Sequence, residues 1–181
     1  MINFEMKNMG KAFLRATIFA VTIGSALPCA ADDGYKFLFK SSSSNLSLQD
    51  KKDIYQLLGL KKSNQIGEFI LDGCDPSEFE VRVQDLNGDK IYEVFLVGGN
   101  TCTSGMIGNS VWLFIKTSQR FRMNFGFPAS DFSILAETND GFPDIQFAGT
   151  GYCTPVWRWN GKSYALLKNI PAKVGGCDYV N

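Results

Sequence analysis

The chain has 181 residues, with 18 Lys+Arg, 18 Asp+Glu and no histidine, so its formal net charge is zero. Without histidine there is no Ser-His-Asp triad, no Cys-His dyad and no imidazole proton shuttle. Without a basic excess there is no electrostatic footprint for nucleic acid or an anionic membrane surface.

At the N-terminus, Lys7, Lys11 and Arg15 precede an apolar run over residues 16–27 that ends in PCAADD. This is the pattern of a secretory signal peptide, too short to span a bilayer, with small residues placed for cleavage after Ala31. Pro28 makes Cys29 a poor lipid-attachment site. The reading is therefore a signal peptide over residues 1–31 and a single exported domain over residues 32–181, placed in the periplasm or secreted. Cleavage removes three basic residues and one acidic one, leaving 15 Lys+Arg against 17 Asp+Glu. Four cysteines remain, Cys74, Cys102, Cys153 and Cys177, and in an oxidising compartment an even set reads as two disulfides. Of the three connectivities, Cys102 with Cys153 and Cys74 with Cys177 is preferred, because Cys102 and Cys153 follow two similar glycine-rich segments. No C-x-x-C pair is present to suggest zinc.

SSSSN, Ser41 to Asn45, reads as a flexible loop rather than a domain boundary. Ser47 and Asp50 then make a capping-box pattern for a helix whose apolar face is Ile54, Leu57 and Leu58 and whose end is marked by Gly59. Everything after it has strand texture: residues 79–83, 92–97, 111–117, 120–125, 144–149, 156–159 and 163–167. Asn160-Gly161 reads as a two-residue hairpin turn. The expected class is α+β, one N-terminal helix packed on a mostly antiparallel β-sheet. A faint repeat at an offset of 51 residues aligns the segment after Gly88 with the segment after Asn139, which suggests two loop-strand units.

Between the first strands lies DLNGDKIYEVFLV. Asp85, Asn87, Asp89 and Glu93 form D-x-N-x-D-x-x-x-E, and together with the Ile91 carbonyl they offer the oxygen ligands calcium prefers. The stretch resembles the short calcium loops of FG-GAP and VCBS-type repeats, in which the pattern is DLNGDGxxDLxV; here Lys90 replaces a glycine and Glu93 an aspartate. That resemblance implies calcium at the first loop. The competing reading is a tight turn whose Asp side chains bond nearby backbone N–H groups. The second unit keeps Asp140 and Asp144 but has Ala136 and Thr138, and reads as non-binding.

GFPDIQFAGTGYC followed by RWNGKSY resembles a region of small secreted bacterial proteins of unassigned function, which implies an exported single domain and no particular activity. Trp157 and Trp159 share one strand face, with core packing or an aromatic binding strip as their roles, and Arg158 points the other way. The glycine-rich stretch over residues 97–110 lacks a phosphate-loop lysine and reads as a disulfide-held loop displaying Met106 and Ile107.

Three functions remain. The leading one is a non-enzymatic exported binding protein, an inhibitor or immunity-type protein that acts on a partner protein through Met106, Tyr152, Trp157 and Arg158. The second is a calcium-binding structural or adhesive module. The third is a cell-wall or polysaccharide hydrolase that uses two of the loop carboxylates, a role that needs one of them to carry a raised pKa.

Overall fold

The computed structural model describes residues 32–40, 45–149 and 151–178. The signal peptide and its cleavage site lie outside the described residues, as do serines 41–44.

The helix expected after Ser47 forms as α2 (Leu48–Leu58). Ser47 accepts from the Asp50 N–H, Asp50 accepts from the Ser47 N–H, and Gly59 closes the helix in the left-handed region at φ 74°. It is preceded by one short turn of helix, α1 (Tyr35–Leu38). The rest is β. In chain order come β1 (Lys61–Lys62), β2 (Glu68–Ile70), β3 (Ser77–Gln84), β4 (Glu93–Gly98), α3 (Thr101–Ser104), β5 (Ser110–Thr117), β6 (Arg120–Pro128), β7 (Asp131–Asn139), β8 (Phe142–Ala148), β9 (Cys153–Trp159) and β10 (Tyr164–Pro171). Ten strands and three short helices among the described residues make the protein mostly β. This overturns the α+β expectation of one N-terminal helix packed on one sheet.

The strands form two antiparallel sheets, β1 to β6 in sequence order and β10-β9-β8-β7. The six-stranded sheet is the middle of three layers. One face carries Val81, Val94, Leu96, Trp112 and Phe114, which pack against Ile54, Tyr55 and Leu58 of α2. Its other face carries Phe95, Val97, Val111, Leu113 and Phe125, which meet Phe142, Ile145, Phe147, Trp159 and Tyr164 of the second sheet. Strand β4 is therefore buried along its whole length. Continuous apolar sequence, rather than alternation, is what burial on both faces demands. Full burial of side chains such as Phe95 and Leu113 contributes roughly 1.5–3 kcal/mol each.

Two disulfides form, but with other partners than the sequence suggested: Cys74–Cys102 and Cys153–Cys177, with Cα separations of 5.9 and 4.8 Å. Antiparallel register explains the correction. Phe79 lies opposite Gly98, so the chain before β3 and the chain after β4 emerge at the same end. Likewise Pro171 lies opposite Cys153, so the tail after β10 returns to the start of β9.

The turns also differ from the reading. Asn160 to Ser163 is a four-residue connection, with the Asn160 side chain accepting from the Lys162 and Ser163 N–H groups at 3.1 and 2.9 Å. The two-residue hairpin is instead Asp140-Gly141, between the paired residues Asn139 and Phe142. Both of its central residues are left-handed, at φ 48° and 82°, as a turn matching the twist of the flanking strands requires.

Candidate functional site

Strand β4 separates two ends of the molecule, each with a loop that the sequence singles out. The Asp loop joins β3 to β4. Asp85 accepts from the Gly88 N–H at 2.8 Å and from the Lys90 N–H at 3.0 Å, one bond to each carboxylate oxygen. Asn87 Oδ1 accepts from the Asp89 N–H, and Asp89 accepts from the Ile91 N–H at 2.7 Å and from Asn87 Nδ2 at 3.0 Å. Lys90 takes φ 67° where the resembling loops have glycine, a conformation that costs a side-chain-bearing residue of order 1 kcal/mol.

Glu93 stands apart from the other acids. At 1% exposed, it lies on the β4 face that meets the second sheet, and its Oε2 accepts from the Leu86 N–H at 2.9 Å. Burial, helped by the charges of Asp89 and Asp85 and opposed by that N–H, pushes its carboxyl up to about 7. Burial likewise raises the Tyr164 phenol, with Glu93 and Asp144 contributing.

The donors the calcium reading needs are thus neighbours, but their oxygens turn to the loop's own N–H groups. Among the described residues no group of three or more His, Cys, Asp or Glu side chains is placed to hold a metal ion. These contacts support the turn reading. The Glu93 carboxyl is thus the one loop acid that is both raised and buried, between the two sheets.

The opposite end carries three of the exposed large apolar residues, Met106, Tyr152 and Val174. Asn100 caps α3, accepting from the Cys102 and Thr103 N–H groups, and its amide reaches the Asp75 carbonyl at 2.7 Å. With Cys74–Cys102, this fixes the base of the loop. The tip over Gly105–Ile107 is a short 3-10 turn bounded by left-handed Gly105 and Gly108, and it holds Met106 94% exposed. The Ile107 side chain lies against Gly149. Tyr152 follows, 56% exposed, its ring under Lys173 Nζ at 3.5 Å and its carbonyl accepting from the Ala172 N–H at 2.7 Å. Cys153–Cys177 anchors this part, and Val174 is fully exposed beside it. Met106, Ile107 and Tyr152 thus belong to one rim, as their glycine-rich and cysteine-flanked context suggests. Lys173 and Val174 had no sequence signal, because the pairing of β10 with β9, the Ala172–Tyr152 backbone bond and the Cys153–Cys177 bridge together bring the tail back to Tyr152.

The other two binding residues are occupied elsewhere. Trp157 packs among Phe125, Phe127 and Phe147 in the core between the sheets, at ring separations of 5.3–5.8 Å. Arg158 clamps Asp144 with two bonds, 2.9 and 2.7 Å, and Asp144 is only 2% exposed. A cleft of about 480 Å³ also lies beside the start of α2, where Lys116 pairs with Asp50 at 2.8 Å. No protein-family model matches the chain, and neither does any curated protein or solved structure.

Proposed function

We propose that the protein is a non-enzymatic exported binding protein that acts on a partner protein, in the manner of an inhibitor or immunity protein, with the rim of Met106, Ile107 and Tyr152 as its contact surface. The observation that carries this reading is Met106. A large apolar side chain is held almost wholly in water on a loop tied down by two left-handed glycines, an asparagine cap and a disulfide. Rigid presentation lowers the ordering cost of binding, and aromatic and methionine side chains are the types enriched at interface centres. No helix among the described residues is long and apolar enough to cross a membrane. The two disulfides support an oxidising location, periplasmic or secreted.

The test is capture from periplasmic and secreted fractions on the immobilised oxidised protein, repeated with the Met106→Glu/Tyr152→Glu variant. Retention of one protein by the parent and its loss by the variant is the expected result. Equal retention by both would remove the rim from the reading, and hydrolysis of peptidoglycan or a polysaccharide by the pure protein would replace the reading with an enzymatic one.

A further inference from the structure

The two sheets differ in width, and the difference leaves a shelf. Strand β7 is an edge of the four-stranded sheet, and among the described residues nothing pairs with its outer side. Its Phe132 stacks on Phe95 of β4 at 4.1 Å. The middle sheet continues past it through β3 and β2. Glu80 and Arg82 lie opposite Val97 and Phe95, so they and Glu78 face the same side as the inter-sheet core, beyond its covered part. A groove of about 670 Å³ runs there, lined by Glu78, Glu80, Arg82, Asn109 and Ser130.

The edge is held shut by a clasp. The Phe132 N–H donates to its neighbour's carboxylate, Asp131 Oδ1, at 2.8 Å, which withholds that donor from any strand laid against β7. Arg82 Nη1 donates to the same Asp131 oxygen at 2.6 Å, and its other nitrogens donate to Glu80 at 2.8 and 2.9 Å. The guanidinium stands 5.1 Å from the Phe132 ring centre. Exposed edges are templates for strand addition, and inward-turned charges are a common means of blocking them.

The charges beneath the clasp indicate what could replace it. Glu78 lies directly opposite Glu68 across β2 and β3, a like-charge pairing that is unfavourable by itself. With Arg82 swung away, the groove keeps the carboxylates of Glu78 and Glu80 in its lining, and Asp131 follows the lining residue Ser130. A second copy of β7 would bring Asp131 and Glu137 and no basic residue. We propose that the shelf along β7 is a strand-addition site that receives an extended segment of a partner protein bearing basic side chains, which displace Arg82 from Asp131 and Glu80 as the backbone pairs with β7. Main-chain bonds supply affinity and alternate side chains supply selectivity in this mode of recognition. The site includes none of Met106, Ile107 and Tyr152.

The probe is an end-blocked nine-residue peptide of alternating Val and Lys, compared by fluorescence anisotropy with its Val/Glu counterpart and with a fully N-methylated Val/Lys form. The Val/Lys peptide binds, while the other two bind at least about tenfold more weakly, one for want of charge complementarity and the other for want of main-chain donors. Arg82→Ala removes the internal competitor and tightens binding by about tenfold, and Glu78→Gln/Glu80→Gln, at two exposed positions, loosens it by a similar factor. Unchanged melting temperatures show that both variants are folded. Three outcomes would overturn the proposal: N-methylated peptide binding as well as the parent, affinity indifferent to Arg82→Ala, or an Arg82→Ala protein that sediments as a dimer and excludes the peptide.

Discussion

Glu93 and Asp144, 51 residues apart in the sequence, are both almost completely buried, yet they are satisfied in opposite ways. Glu93 accepts a backbone N–H and has no cation. Asp144 is gripped by both arms of Arg158. One buried carboxyl has its proton affinity raised and the other is held in an ion pair.

The first consequence is a pH dependence of stability. Burial pushes the folded Glu93 carboxyl up to about 7 from the ordinary glutamate value of 4.5, so between these pH values the folded state binds a proton that the unfolded chain has released. Stability therefore falls as pH rises from about 5 to about 8, by on the order of 2–3 kcal/mol. Denaturant melts across that range check it, and Glu93→Gln, whose amide oxygen still accepts from Leu86, flattens the slope. Asp131, in which burial is outweighed by the Arg82 and Phe132 bonds, is held below its ordinary range. Its contribution is lost only as pH falls below about 4, so the two effects are separable.

Breaking the Asp144–Arg158 pair is asymmetric. Arg158→Met leaves Asp144, 2% exposed in the intact pair, without its cation, whereas Asp144→Asn/Arg158→Met removes both charges. The single variant is expected to melt at a lower temperature than the double one. Thermal melts at neutral pH decide this, and the reverse order would show that packing rather than charge dominates at that site.

The Asp loop is expected to stand without metal. Millimolar calcium and a chelator leave the melting temperature unchanged, while Asp85→Ala lowers stability by about 1 kcal/mol by freeing the Gly88 and Lys90 N–H groups. A rise with calcium that Asp85→Ala abolishes would assign the loop an ion.

Digestion of the unreduced protein yields peptides linked through Cys74–Cys102 and Cys153–Cys177. Each bridge closes a short loop, with separations of 28 and 24 residues, so replacing either pair with serines costs about 3–4 kcal/mol by the chain-entropy estimate.

Much of the secondary structure was legible from the sequence, because local chemistry dictates it. Ser47, Asp50 and Gly59 delimit α2, and the runs around Phe95 and Leu113 can be nothing but buried strand. The layer count was harder to read. The unbroken apolar stretch Val94–Val97 signals cover on both faces, but it does not say that one cover is a second sheet. That sheet begins with β7, whose sequence DFSILAETN mixes polar with apolar residues and whose pairing with β8 shifts register between Ile134 and Thr138; strict alternation is lost there. The disulfide partners depend on which strand ends coincide, a property of register. The rim's Met106 was visible as an apolar residue among glycines, but the Arg82 clasp joins residues 49 apart and left no local mark.

The arrangement of β4 has a practical consequence. Its six residues hold the Asp loop and the Met106 rim about 20 Å apart, at opposite ends of a bar clamped on both faces. Gly88, left-handed and open to solvent at the far end, is therefore a suitable neighbourhood for an attachment handle. A molecule tethered there presents its rim outward, in one orientation, to whatever flows past.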